Sequence, residues 1–202
     1  MGELPAATRL LELGPGPAHV ALLVRRNDVT WVGLEGSLDC LPSMRQALSG
    51  GAIVDLEALP HLPRGYDTVL AGDTLEHLNE PERMLGMIRD ALPSGGRLLL
   101  SVPNVANLHV RLSLLWGRFP YADRGILDRT HRFFFTARSL HEMVEKAGFA
   151  VERTAVSTIP LQLVWPRMPR PVLGALCLAI ESVSRLFPRL FGYQLLLIAR
   201  RL

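Results

Sequence analysis

Lysine is almost absent from this chain: of 22 basic residues only Lys146 is a lysine, and the rest are arginines. Arginine presents a rigid fork suited to carboxylates and phosphates, although a GC-rich coding bias would give the same count. Cysteine is equally scarce. Cys40 and Cys177 cannot build a disulfide framework, so a reducing, cytoplasmic setting is expected. No apolar run is long enough for a membrane span. In the C-terminal third the longest, Pro171–Ile180, stops at Glu181, short of the ~20 residues a spanning helix needs. Met1–Leu10 has neither a basic n-region nor an apolar h-region, so no signal peptide is expected. Ala6 stands where a myristoylation signal wants serine or threonine. Nor is there a nucleic-acid motif. The composition, 49% hydrophobic and 20% charged, excludes disorder, collagen and coiled coil.

What is present is alternation. Thr8–Leu13 is a short apolar run entering Gly14-Pro15-Gly16, a buried strand ending in a glycine turn. Ala18–Arg26 has helical character, Val29–Leu34 is β-rich, Ser37–Leu48 reads as a helix and Ala52–Asp55 as a strand. Tyr66–Ala71 is another strand. Pro81–Leu92 opens with proline at a helix start and spaces Met84, Leu85, Ile88 and Leu92 helically. Arg97–Val102 reads as a continuous buried strand, and Thr136 caps a helix to about Ala147. Ala150–Ser157 and Tyr193–Arg200 are closing strands. This order predicts a doubly wound α/β sheet. Two stretches, 103–135 and 158–191, break the pattern, and long insertions of this kind usually carry function or structure of their own. Both are rich in arginine: Arg111, Arg118, Arg124, Arg129 and Arg132 in the first, Arg167, Arg170, Arg185 and Arg189 in the second.

The glycine turn lies where open α/β sheets bind ligands, at the carboxyl end of the first strand. His19 occupies the third-glycine position of a dinucleotide fingerprint, so a nicotinamide enzyme is disfavoured, and a Walker loop is absent. Three acids end three successive strands. Glu12 is placed to hold an ammonium group, Glu35 to bond ribose hydroxyls, and Asp55 to accept from an adenine amino group. The implied ligand has an amine, a ribose and an adenine, and no pyrophosphate.

Glu12-Leu13-Gly14-Pro15-Gly16, Gly33-Leu34-Glu35, Val54-Asp55-Leu56, Tyr66-Asp67-Thr68-Val69-Leu70, Leu75-Glu76-His77-Leu78 and Pro93-Ser94-Gly95-Gly96-Arg97-Leu98 follow in order. In these motifs the chain resembles the class I S-adenosylmethionine-dependent methyltransferases, near the branch of ubiquinone-biosynthesis O-methyltransferases and glycan- and lipid-pathway methyltransferases. The resemblance implies a Rossmann-like sheet of seven strands, order 3-2-1-4-5-7-6, with strand 7 antiparallel. Residues 1–202 would then form one domain, with 103–135 and 158–191 as insertions. S-adenosyl-L-methionine is the implied cofactor. Glu12, Gly14, Pro15 and Gly16 would line its methionine part, Glu35 and Gly36 its ribose, and Asp55 and Leu56 its adenine, with Gly72 beside the sulfonium. Ala18 stands at a usual glycine position and crowds the loop slightly. The family's N-terminal helices cover the cofactor; about eight residues precede the first strand here, so an open site is expected. The implied activity is methyl transfer, to oxygen before nitrogen or carbon, on a small or lipid-linked acceptor. The alternative is a methyltransferase-like module that binds cofactor or a partner without turnover.

Three features carry two readings each. In the ubiquinone branch an acid, two spacers and Glu-His are linked to a divalent metal, here Asp73, Glu76 and His77. The local reading packs Leu75 inward and lets Glu76 and His77 cap the next helix or bond nearby; it is adopted, and no metal is assigned. Asp128-Arg129-Thr130-His131 precedes an aromatic run. His131 can take the acceptor's proton, oriented by Asp128, or it can lock the loop by bonding backbone carbonyls while the phenylalanines pack. His19, His61, His109 and His141 read as ordinary surface or packing residues. In the second insertion Val172, Leu176, Ile180, Val183 and Phe187 share a helical face, with Trp165 just upstream. That face either roofs the substrate pocket or lies weakly at the inner face of a membrane, its arginines on anionic headgroups.

Overall fold

The computed structural model describes residues 8–24, 27–159, 161 and 167–202. Trp165 and the segment ahead of Thr8 lie outside the described residues, as do Arg25 and Arg26 at the end of the first expected helix. Strand β1 (Arg9–Leu13) is buried on both faces. It is flanked by β2 (Thr30–Glu35) and β4 (Thr68–Gly72), both parallel to it. Leu11 and Leu13 enter the main core with Leu85, Ile88, Leu140 and Val144. Leu10, on the opposite face, packs with Ala21, Trp31 and Leu70. That two-sided burial is why the strand reads as a continuous apolar run.

The sheet order is β3-β2-β1-β4-β5-β7-β6. Strand β5 (Arg97–Pro103) pairs with β4 in parallel, and β7 (Gln194–Arg201) runs antiparallel between β5 and the edge strand β6 (Phe149–Ser157). This is the topology the resemblance implies. Helix α1 (His19–Val24) follows the glycine turn, and α3 (Pro81–Ala91) begins at Pro81 as expected. Helix α5 (Ala137–Lys146) is closed at its start by a reciprocal box between Thr136 and Ser139.

Three expectations shift. Strand β3 is Gly50–Ile53, two residues ahead of the expected Ala52–Asp55. Gly50 and Gly51 lie in the ladder with Val32 and Gly33. A Cβ on Gly51 would stand 2.7 Å from the Gly33 carbonyl, so glycine is required there. The expected helix 37–48 divides into a 3-10 turn, Leu38–Cys40 after the Ser37 cap, and α2 (Leu41–Ala47) with Pro42 in its first turn. Strand β5 alternates in burial instead of being covered throughout, because Leu98, Leu100 and Val102 face the core while Arg97, Leu99 and Ser101 are half-buried.

Both insertions carry helices among their described residues. The first contains α4 (Leu108–Leu115), capped by the Asn107 side chain, and its own small core of Val110, Ile126 and Leu127. Buried Asn104 and Asn107 both donate to the Gly192 carbonyl, at 3.0 and 2.9 Å, tying this insertion to the end of the second. The second holds α6 (Arg170–Leu186) and a short α7 (Pro188–Phe191). No helix among the described residues is long and apolar enough to cross a membrane.

Candidate cofactor and acceptor site

The carboxyl ends of β1, β2, β3 and β4 meet at the glycine turn. Gly14 and Gly16 take positive φ, 66° and 54°, where side chains are strained. Gly14 is also closed in from the side: a Cβ there would lie 2.9 Å from Thr74 Oγ1. The Thr74 hydroxyl donates to the Leu13 carbonyl at 2.8 Å and fastens the turn to the loop after β4. Gly16 faces the other way. A Cβ there would meet nothing within 4 Å, so the backbone borders open space. Ala18 shares the left-handed conformation, φ 57°, which explains why glycine is usual at this position.

Glu35 organises this cradle. Its carboxylate accepts from Gly16 N at 2.8 Å through one oxygen and from Ser37 N at 2.9 Å through the other. Each oxygen keeps acceptor capacity. Val54 N donates to the Glu35 carbonyl at 2.7 Å, which brings exposed Asp55 alongside. Asp55 itself accepts from Glu57 N at 2.9 Å. Gly36 is exposed beside Glu35, and Gly72 ends β4, half-buried. The donor set fits an adenosyl group: acceptors at a polyol height and at the strand end beyond, and open backbone over Gly16.

Two expected positions sit differently. Glu12 does not reach the mouth of the turn. It is 3% exposed, on the sheet face shared with Leu10 and Trp31, and accepts from Trp31 Nε1 at 2.7 Å. Burial raises its pKa from 4.5 to about 7, against the pull of the Trp31 bond, and Glu35 adds to the rise. No ammonium is met there; the period-two alternation of a fully covered strand turned the side chain under the cradle. Leu56 is buried in the main core, so of the pair only Asp55 is open to a ligand.

Beyond the cradle, the loop after β4 meets the first insertion. Arg132 N and Phe133 N both donate to the Glu76 carbonyl, at 2.7 and 3.1 Å, which sets His131 beside His77 with ring centroids 4.8 Å apart. Asp128 does not orient His131. Its carboxylate accepts from Thr130 N and Thr130 Oγ1, at 2.8 and 2.6 Å, and those bonds lower its pKa. The Ile126 carbonyl does the orienting, accepting from His131 Nδ1 at 3.1 Å. Burial lowers the His131 pKa, which favours the neutral imidazole. Loop-locking features are present too, since Phe135 is buried and His131 bonds a carbonyl.

Glu76 is the residue the sequence did not single out correctly. Leu75 packs inward as expected, but the Glu76 carboxylate caps nothing: it is fully buried, and neither oxygen has a hydrogen-bond partner. Burial raises its pKa to about 8. Asp73, the first acid of the implied metal set, turns away. It adopts φ 52° and accepts from Gln194 Nε2, at 2.8 and 2.7 Å, and from Ser101 Oγ at 3.2 Å. The set Asp73, Glu76, His77 is therefore not assembled.

The family model of the methyltransferase domain matches residues 1–154. The chain belongs to the methyltransferase-domain family. Its topology makes it a class I member, and its cofactor is S-adenosylmethionine. This methyltransferase-domain protein is 28% identical over 166 residues to a ubiquinone biosynthesis O-methyltransferase of Dinoroseobacter shibae, covering 78% of this chain and 66% of that one. It is 32% identical over 109 residues to a malonyl-[acyl-carrier protein] O-methyltransferase of Chlorobium luteolum, covering 54% of this chain and 40% of the relative. The chain thus spans at most about two thirds of these curated relatives. Among solved structures, magnesium protoporphyrin IX methyltransferase of Synechocystis PCC 6803 with bound SAH shares the fold at TM-score 0.65 and 17% identity, over 100% of this chain and 77% of that one.

Proposed function

We propose that this protein transfers a methyl group from S-adenosylmethionine to an oxygen of a small or lipid-linked acceptor. The observation that carries the reading is the Glu35 carboxylate spanning from Gly16 N to Ser37 N beneath open backbone. Gly14, Pro15 and Gly16 take the methionine part, with Glu12 beneath them as support. Glu35 and Gly36 take the ribose, Asp55 the adenine edge, and Gly72 lies beside the sulfonium. Methyl transfer is an in-line displacement, and much of its rate comes from holding the acceptor oxygen on the methyl axis. His131 and His77, beyond the end of β4, are placed to handle the acceptor's proton, with Asp128 supporting through Thr130. Oxygen is favoured as acceptor atom because both curated relatives named above are O-methyltransferases. We read residues 1–202 as one domain, with the segments 103–135 and 158–191 on the acceptor side.

The test is calorimetry with S-adenosylhomocysteine. Glu35→Ala removes the charged acceptor for the ribose hydroxyls and is expected to weaken binding at least about tenfold, since ~1.4 kcal/mol is one such factor. Circular dichroism should show the fold retained. Unchanged affinity in that variant rejects the site.

A second element of the reading is weak peripheral membrane contact through α6. Val172, Leu178, Leu186 and Phe187 are each more than half exposed on a helix with Arg167, Arg170, Arg185 and Arg189 near its ends.

A further inference from the structure

A fully buried carboxylate without a partner is costly in a native fold, because neither water nor a donor offsets its desolvation. Glu76 is such a group, and it faces company. One oxygen of Glu76, one ring nitrogen of His77 and one of His131 all lie within 4.8 Å of one another. A divalent cation among the three would supply the positive charge that the buried Glu76 carboxylate lacks.

The surrounding bonds prepare both rings for that role. A carbonyl only accepts, so His131 Nδ1–H donates to Ile126 and leaves the Nε2 lone pair free. The Thr130 hydroxyl donates to Asp128 Oδ1 at 2.6 Å, so at 3.1 Å it accepts from His77 Nδ1, which again leaves Nε2 bare. Hydrogen bonding at the far nitrogen is how proteins fix the tautomer and direction of metal-ligating histidines.

We propose that Glu76, His77 and His131 form a divalent-metal site of the zinc type, with His131 from the first insertion in the place the resemblance gives to Asp73. The donor set changes with the substitution. Two carboxylates and one imidazole would suit magnesium; one carboxylate and two imidazoles suit zinc, cobalt or iron. Three protein ligands leave a position open, and a metal bound there supplies Lewis-acid polarisation of an acceptor hydroxyl. The site rests on the methyltransferase reading only for its place beside the acceptor; His131 would then act on the acceptor as a ligand.

The experiment is titration of the chelator-stripped full chain with Zn2+ by calorimetry and with Co2+ by visible absorption, in the absence of cofactor. One metal per chain is expected, with ligand-field bands for Co2+ and Zn2+ binding far tighter than Mg2+. Glu76→Gln keeps the shape and is expected to lower Zn2+ affinity by about tenfold or more, a floor set by the effect of outer-sphere substitutions. His131→Ala should do the same, while Asp73→Asn should leave it within about twofold. Absence of Zn2+ binding, or a loss in Asp73→Asn equal to that in His131→Ala, overturns the site. If His131→Ala does not fold, Glu76→Gln decides alone. Binding of S-adenosylhomocysteine, measured on the same samples, reports separately on the methyltransferase reading.

Discussion

Single side chains at the strand ends show how position overrides residue type. Glu12, Glu35 and Asp55 are three acids at equivalent places in sequence, and they meet two different fates. Glu35 and Asp55 lie at the surface of the cradle, whereas Glu12 is buried against Trp31. A carboxyl whose pKa is raised in the fold holds its proton more tightly there than in the unfolded chain. Its contribution to stability is complete below about 4.5 and is lost as pH rises through about 7. Glu12→Gln keeps an acceptor for Trp31 Nε1 and removes that loss. The variant is expected to match the parent in urea unfolding at pH 5 and to exceed it at pH 8, by at most on the order of 3 kcal/mol. Equal stability differences at both pH values would place the Glu12 carboxyl in an ordinary environment. Gly14 gives a second residue-scale test. Gly14→Ala meets both a positive φ and Thr74 Oγ1, and is expected to cost about 2 kcal/mol or more. Pairing it with Thr74→Ala should restore only the steric part, leaving the backbone strain visible in thermal melts.

Among elements, the insertions differ most from what a sequence pattern shows. Helix α4 was not expected, because in Leu108–Leu115 the polar residues His109, Arg111 and Ser113 alternate with apolar ones and show little helical period; its start is set by Asn107, whose side chain accepts from His109 N at 3.0 Å. Asn107 also donates to the Gly192 carbonyl from a buried site. Asn107→Ala therefore removes a cap and a buried bond together, and the expected loss is about 2 kcal/mol by chemical denaturation. Loss of only a few tenths would mean that Asn104, which reaches the same carbonyl, holds the junction alone. Helix α6 has the expected type but a rotated face. The stripe Val172, Leu176, Ile180, Val183, Phe187 does not point one way: Leu173, Leu176, Cys177 and Ile180 are half-buried and Ser184 buried, while Val172, Val183 and Phe187 are exposed. Neighbouring β6 and α7, remote in sequence from the helix start, chose which flank of the apolar arc to cover.

For the molecule as a whole, the outward flank of α6 bears on where the protein works. Leu178 and Leu186 are 67% and 74% exposed, and cationic side chains near the helix ends are worth ~1 kcal/mol each at an anionic surface. Weak, salt-sensitive sedimentation with anionic vesicles and none with neutral ones is the expected result. Equal partition to both, or to neither at low salt, assigns the face to packing or to another partner. Mass action provides a global check on the cofactor: S-adenosylhomocysteine at about a hundred times its dissociation constant should raise unfolding free energy by roughly 2.7 kcal/mol, and a tenfold weaker Glu35→Ala should gain only about 1.4 kcal/mol at the same concentration.

The strand–helix alternation, the glycine turn and the acids closing successive strands were legible in the sequence, since each is a local pattern: period-two or continuous apolar runs, glycines at a strand end, a proline at a helix start. They led to the doubly wound sheet and to the family resemblance, and only that resemblance implied the strand order. What tertiary structure decided were the orientations and meetings. Alternation along β1 turns Glu12 to the Leu10 face, but the partner that meets it there, Trp31, comes from the neighbouring strand. Arg132 N and Phe133 N bond the Glu76 carbonyl, and His131 lies near Glu76 although it follows 55 residues later in the sequence. Such contacts are set by how distant segments share one volume, and no short-range spacing encodes that sharing.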